Sequence, residues 1–201
     1  MSSKDRYGKF RKKHFTFFLE ETVAYLGRYF GYKILPRVRE TKLMENALMI
    51  FKHTEKGYAI EYDYGQFKET FGKYDFETQK YYVVAITAHE MRHYYQHRQM
   101  DTKAPKESAD TIALWRKNEK NPVWLEDGYS LSEYCLQPLE VDAVLFEYTF
   151  AAKMFDVLLL KLIRDEEHLA ALEKLYIAYH GKTDRDLFGK RVRKLLRQRR
   201  K

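Results

Sequence analysis

The most informative stretch of this chain is residues 76–96, which read Phe-Glu-Thr-Gln-Lys-Tyr-Tyr-Val-Val-Ala-Ile-Thr-Ala-His-Glu-Met-Arg-His-Tyr-Tyr-Gln. The stretch contains neither proline nor glycine, and its apolar residues recur at steps of three and four, which is typical of an amphipathic helix. The apolar stripe consists of Tyr81, Val84, Ala85, Ala88, Met91 and Tyr95. Because tyrosine and valine are weak helix formers, we expect this helix to persist only where the stripe packs against the rest of the domain.

Within this helix, His89, Glu90 and His93 form a His-Glu-x-x-His pentad. Residues four apart lie on one helical face, so both imidazoles can bind a single zinc ion. Glu90 is close to that face and can accept a proton from a water molecule whose pKa zinc lowers to about 7. The pattern therefore predicts a catalytic zinc site. The alternative is a surface helix with two exposed histidines and a solvated glutamate.

A third zinc ligand is expected from a separate segment, because a catalytic zinc ion usually has three protein ligands and one open position. The best candidate is Glu140, which follows Pro138 at the predicted start of a later helix. Asp142 is the alternative ligand. Because Glu140 and Asp142 are two residues apart on a helix, their side chains face different directions and cannot easily bind the same ion. Acidic residues are also favoured at helix N-termini, so both could instead serve only as capping residues.

His97 extends the histidine series by one helical turn. Four residues advance about 6 Å along a helix, so an ion bound by His89 and His93 is poorly placed to reach His97. We therefore predict that His97 either lines the cleft or is exposed. The other histidines have no comparable partner in the sequence and are not predicted to be ligands: His14, His53, His168 and His180.

The length, cysteine content and hydropathy of the chain limit its class. A chain of 201 residues is large enough for one domain with a substantial core. The single cysteine, Cys135, excludes an internal disulfide framework, favours a reducing compartment and is expected to be a packed thiol. No uninterrupted apolar run approaches about 18 residues, and the N-terminus lacks a signal-peptide pattern. These features predict a cytoplasmic protein without a membrane span.

The positive charge is concentrated at the C-terminal end. Residues 182–201 carry ten basic and two acidic residues, a difference of +8 that equals the net charge of the whole chain. A second basic cluster lies in residues 4–13. Such clusters attract phosphate backbones without reading sequence, so one prediction is non-specific contact with nucleic acid through the tail. The alternative is a soluble helical tail that docks its apolar residues on the body.

The sequence before the pentad predicts a helix followed by a small antiparallel sheet. Residues 13–30 form the helix, which Gly31 ends as a left-handed cap. Pro36 restricts the next strand, residues 32–39, to the edge of a sheet. A hairpin is predicted from residues 47–53 and 58–64, and residues 65–73 are predicted to be a loop.

The sequence after the pentad predicts mostly helices, so the fold class is α+β with a mostly helical domain. Ser108 to Lys120 looks helical, a loop through Tyr129 is predicted to border the cleft, and the Glu140 helix follows. Further helices are predicted to be broken near residues 164–167 and at Gly181. We divide the chain into a basic N-terminal arm, a zincin-like domain and C-terminal helices with a basic tail, over residues 1–12, 13–163 and 164–201.

The order of these segments and two motifs resemble the ImmA/IrrE family of zinc metallopeptidases. The motifs are the pentad and Glu140-Val-Asp-Ala143 followed by Phe146, and the resemblance covers roughly residues 40–160. It implies a minimal zincin-like domain of the gluzincin type. By the same likeness His89 and His93 are zinc ligands, Glu140 is the third ligand and Glu90 is the general base. Asp142 stands where the family usually has glutamate.

The resemblance also implies a function. Members are common on phage and other mobile elements, which suggests a zinc-dependent endopeptidase that cuts a regulatory protein such as a transcriptional repressor. Candidates for stabilising the oxyanion are Tyr129, Tyr134 and His97. The main alternative is a nucleic-acid-binding or regulatory protein with a structural or vestigial zinc site, which the basic tail supports. A second alternative is an interaction module that binds no metal.

Overall fold

The computed structural model describes residues 9–44, 47–124, 127–129 and 131–155 of the chain. Helices combined with a small sheet confirm the predicted α+β class. The part up to Lys103 forms one unit that contains α1 (Lys12–Phe30), β1 (Arg37–Glu40), β2 (Met49–Thr54), β3 (Gly57–Tyr62), α2 (Tyr64–Phe71) and α3 (Phe76–Asp101). The part from Ala104 forms a second unit that contains α4 (Ala109–Lys120), α5 (Leu131–Cys135) and α6 (Pro138–Phe155).

Several predictions concern segments outside the described residues. These segments are residues 1–8 of the predicted arm and the whole predicted C-terminal part, residues 164–201, with its helix breaks and its basic tail. The predicted division into arm, zincin-like domain and C-terminal helices therefore stays a prediction.

Helix α3 spans the predicted pentad helix and carries the core of the first unit. Its N-terminus is capped by Asp75, whose Oδ1 accepts the backbone N–H of Thr78 at 2.8 Å. Tyr81 of the predicted apolar stripe is half-buried, and the other five members are buried: Val84, Ala85, Ala88, Met91 and Tyr95. The helix packs against α1 and against β2. This packing compensates for the weak helix propensity of its tyrosines and valines.

Helix α1 follows the predicted span and buries one face. Its apolar side chains Phe15, Leu19 and Leu26 are almost fully buried. Gly31 ends the helix with a φ of 79°, a left-handed conformation that L-residues with a side chain rarely adopt. The N–H of Tyr32 then bonds to the carbonyl of Gly27 at 2.8 Å, which satisfies one of the last helical carbonyls.

The sheet has three strands in the order β1-β3-β2 and is mixed, whereas the sequence predicted an antiparallel sheet. The predicted hairpin is confirmed, because β2 and β3 pair antiparallel with Phe51 opposite Ile60. Strand β1 pairs with β3 in parallel and lies at the edge, as Pro36 indicated. It begins later than predicted because the carbonyl of Ile34 accepts the hydroxyl of Tyr94 at 2.5 Å and is not used for strand pairing.

The outer face of the sheet carries a buried carboxylate. Glu61 on β3 is 3% exposed and accepts hydrogen bonds from Arg39 on β1, at 2.7 Å from Nε, and from Lys52 on β2, at 2.8 Å. Burial by itself favours the neutral carboxyl, but the two cations outweigh it and hold the pKa of Glu61 below its ordinary value. This ion triad ties the three strands together.

The predicted loop over residues 65–73 is wrong, because most of it belongs to helix α2. Asp63 caps the helix, and its Oδ1 accepts the N–H of Gln66 at 3.1 Å. Phe67 is buried against the rings of Phe10 and Phe15. The sequence contained this signal, an aspartate three residues before a glutamine, but the flanking glycines favoured a loop.

The second unit fixes the start of α6. Ser108 caps α4 by accepting the N–H of Thr111 at 3.1 Å, as the predicted helix from Ser108 requires. From the end of α4, Asn118 donates to Oε1 of Gln137 at 2.8 Å and accepts the N–H of Leu139 at 3.1 Å. The amide of Asn118 therefore caps the first turn of α6, which begins at Pro138 as predicted.

Two sequence predictions concern the general character of the protein. Cys135, expected to be a packed thiol, is half-buried in α5. Among the described residues, no helix combines the length and the apolar character that crossing a membrane requires.

Replacing Asn118 tests the capping of α6. In Asn118→Ala, Oε1 of Gln137 keeps the N–H of Val123 but loses the Asn118 amide, and the N–H of Leu139 loses its bond to Asn118. Because these bonds are buried or partly buried, the free energy of unfolding should fall by about 1–3 kcal/mol. Asn121→Ala is the matched control, because Asn121 is exposed and bonds only weakly, at 3.3 Å, to the carbonyl of Lys117. Urea denaturation measures both variants. Equal losses in the two would contradict the proposed cap.

Candidate metal centre

His89 and His93 bring two ring nitrogens to one point on α3. Their Nε2 atoms lie 3.1 Å apart, and the ring planes are inclined by 77°. In a tetrahedral zinc site, two nitrogen ligands at about 2.0–2.1 Å from the ion lie roughly 3.3 Å from each other. Both side chains are half-buried, unlike the exposed histidines of the alternative interpretation. The donor type and the spacing therefore fit a shared zinc ion.

Gln96 orients His93 through its other ring nitrogen. The amide oxygen Oε1 of Gln96 lies 2.9 Å from Nδ1 of His93, and Gln96 is fully buried. Because an amide oxygen only accepts, Nδ1 carries the hydrogen and Nε2 of the neutral ring presents its lone pair. A hydrogen bond to the ring nitrogen that does not bind the ion fixes the tautomer of metal-binding histidines. The sequence motif did not identify Gln96, although its position three residues after His93 places it on a neighbouring part of the same face.

Glu90 is a buried carboxylate anchored by the sheet. It is 7% exposed, and its Oε2 accepts the backbone N–H of Phe51 at 2.7 Å. Phe51 lies on the edge strand β2, and its N–H points away from β3 toward α3. The hydrogen bond to a charged acceptor is stronger than one between neutral groups, so it holds the carboxylate in one orientation beside the histidines. This contact joins residues 39 positions apart and could not be predicted from the sequence.

His97 is half-buried against β2, so the prediction that it is exposed is wrong, and its place in the cleft stays a prediction. Its ring lies 5.0 Å from that of Phe51 and 5.2 Å from that of His53, measured between centroids. Burial, together with the neighbouring His53 and His93, lowers the pKa of His97 to about 4. At neutral pH the ring is therefore uncharged.

Glu140 lies in the first turn of α6, in the second unit, and is half-buried. Its Oε1 accepts the hydroxyl of Tyr134 at 3.2 Å, so one of the oxyanion candidates contacts the predicted third ligand. Asp142, the alternative ligand, is buried, and Tyr129 is exposed. Since the pentad belongs to the first unit, the choice of Glu140 as third ligand stays a prediction, as do the oxyanion roles.

Comparison of the chain with family models, with curated proteins and with solved structures finds no match. The likeness to the ImmA/IrrE family therefore rests on the two motifs.

Replacing Gln96 tests the orientation of His93. Gln96→Ala should weaken zinc binding by about 10- to 100-fold, because the His93 ring loses the bond that fixes its tautomer. Competition with a chromogenic chelator measures the affinity. Gln99→Ala is the matched control, since Gln99 is another buried glutamine of α3 and donates to the Tyr32 hydroxyl instead. An unchanged affinity in Gln96→Ala would contradict the assigned role.

The titration of His97 tests its burial. In metal-free protein, proton NMR should show His97 titrating near the predicted pKa of about 4, and His53→Ala should raise that pKa because one neighbouring positive charge is removed. An unfolded histidine has a pKa of about 6.5. As the pH falls from that value toward 4, the unfolded chain binds the proton first, so the contribution of His97 to stability decreases. A pKa above 6 would contradict this environment.

Proposed function

We propose that the protein is a cytoplasmic zinc-dependent endopeptidase in which His89 and His93 bind the ion, Glu140 supplies the third ligand and Glu90 is the general base. The observation that carries this proposal is the convergence of the two Nε2 atoms at 3.1 Å, with Gln96 fixing the tautomer of His93. A buried carboxylate at the neighbouring position adds the group that peptide hydrolysis requires beside the metal.

The roles of the side chains follow from their chemistry. A bound zinc ion would polarise the scissile carbonyl and lower the pKa of a water molecule. Glu90 would accept the proton of the attacking water and deliver it to the leaving amine. Its Oε2 is held by the Phe51 amide, so the carboxylate needs little reorientation before the proton transfer. We assign the proton exchange to Oε1.

Strand β2 offers a surface for an extended peptide. It is an edge strand packed on α3, and its residues Met49, Phe51 and His53 direct their backbone groups away from β3. A peptide that pairs with this edge would pass close to Glu90. Because the Phe51 N–H is used by Glu90, pairing would rely on the carbonyl of Phe51 and on the two flanking residues. The proposed substrate is therefore an extended segment of a protein, and the resemblance suggests a regulatory protein of a mobile element.

Replacing the base separates catalysis from metal binding. Glu90→Gln should retain zinc while its peptidase rate falls by about 10²- to 10⁴-fold, the usual contribution of a general base. Cleavage of an unstructured protein and of a peptide mixture, followed by mass spectrometry, measures the rate. Glu77→Gln is the matched control, because Glu77 lies in the first turn of the same helix and pairs with Lys80.

The outcomes distinguish the proposal from its rival. Equal cleavage by wild type and Glu90→Gln would contradict the assigned base. Zinc binding without cleavage of any substrate, together with salt-dependent DNA binding that survives Glu90→Gln, would favour the nucleic-acid-binding alternative.

A further inference from the structure

A second pair of histidines meets within the first unit, one turn beyond the pentad. His53 on β2 and His97 on α3 have ring centroids 5.2 Å apart, with planes inclined by 68°. Each offers a ring nitrogen within 4.8 Å of the other. The pentad pair has similar values, 4.8 Å and 77°. Two imidazoles that share a tetrahedral ion at about 2.0–2.1 Å have centroids roughly 5 Å apart.

Aromatic side chains hold both rings in place. The ring of His53 stacks on Tyr58 at 4.7 Å with an inclination of 22°. The ring of His97 lies against Phe51 at 5.0 Å. A donor pair held by its surroundings loses less conformational entropy when it binds an ion than a pair of freely rotating side chains. The two rings are therefore preorganised, and His53 is exposed enough for water to reach it.

This pair could not be predicted from the sequence, because the two residues are 44 positions apart and lie on different elements. His53 was not predicted to be a ligand, and His97 was predicted to line the cleft, where it could stabilise the oxyanion, or to be exposed. The alignment of β2 along α3 brings the two residues together. His53 lies two residues after Phe51, on the same face of the sheet. Phe51 bonds to Glu90 on α3, and His97 follows Glu90 by two helical turns.

We propose that His53 and His97 form a second metal-binding site, for a late first-row divalent cation. Imidazole donors suit Cu²⁺, Ni²⁺ and Zn²⁺, and Cu²⁺ should bind most tightly. Two histidine ligands hold an ion less tightly than the three protein ligands proposed for the pentad, so this second site should be the weaker one. Because the two ligands come from β2 and α3, a bound ion would link these two elements. Strand β2 anchors Glu90 through the Phe51 N–H, and α3 carries Glu90.

The test uses the full chain with the pentad histidines removed. His89→Ala/His93→Ala protein, titrated with Cu²⁺, should bind one equivalent, and its electron paramagnetic resonance spectrum should show coupling to two imidazole nitrogens. Adding His53→Asn or His97→Asn should weaken this binding by more than about 10- to 100-fold. That is the usual effect of losing a group that only hydrogen-bonds to a metal ligand, and here a ligand itself is lost. His14→Asn is the matched control, because His14 lies on α1 and bonds to the N–H of Arg11.

A second measurement avoids variants of α3. Wild type should bind two equivalents of Cu²⁺, one at each histidine pair, and the single substitution His53→Asn, at an exposed position of β2, should reduce this number to one. Binding that is unchanged by His53→Asn and His97→Asn, or absent in both experiments, would overturn the proposal. The readout is metal stoichiometry and not proteolysis, so the second site stands or falls independently of the proposed peptidase.

Discussion

The packing of α3 between α1 and the sheet is the constraint on which the rest of the first unit depends. The helix is rich in tyrosine and valine, and it is stable because its apolar side chains are buried on more than one side. A helix buried to this extent must also bury polar groups. Each such group then needs a hydrogen-bond partner, because a buried polar atom left unpaired costs about 1–3 kcal/mol.

The polar groups of α3 meet that requirement in ways that also organise the candidate site. Thr87 donates to the carbonyl of Val83, Gln99 donates to the Tyr32 hydroxyl, and Glu90 accepts the Phe51 amide. The amide oxygen of Gln96 accepts a hydrogen bond from Nδ1 of His93. The bonds of Glu90 and Gln96 therefore have two consequences, since they stabilise a buried helix and also fix the orientation of the residues assigned to chemistry.

Local signals in the sequence predicted the parts of the fold that depend on local interactions. The spans of α1 and α3, the left-handed cap at Gly31 and the hairpin of β2 and β3 follow from periodicity and turn residues. The pentad spacing alone placed His89 and His93 on one helical face. Contacts between distant segments were beyond this reasoning. The parallel pairing of β1 with β3, the Phe51 amide on Glu90 and the contact of His53 with His97 all join segments that are far apart in the sequence. Helix α2 was missed for a different reason, because glycines outweighed a valid capping signal.

Zinc K-edge X-ray absorption spectroscopy on protein purified without added metal shows whether the pentad binds zinc. We expect one zinc ion per chain with two imidazole ligands at about 2.0–2.1 Å, completed by oxygen donors and without sulfur. In His93→Ala/His53→Asn protein, which lacks one histidine of each pair, the two-imidazole signature should disappear, whereas His53→Asn protein should keep it. Wild-type protein without zinc, or zinc bound with a sulfur ligand or without two imidazoles, would contradict the assignment of the pentad as a metal site.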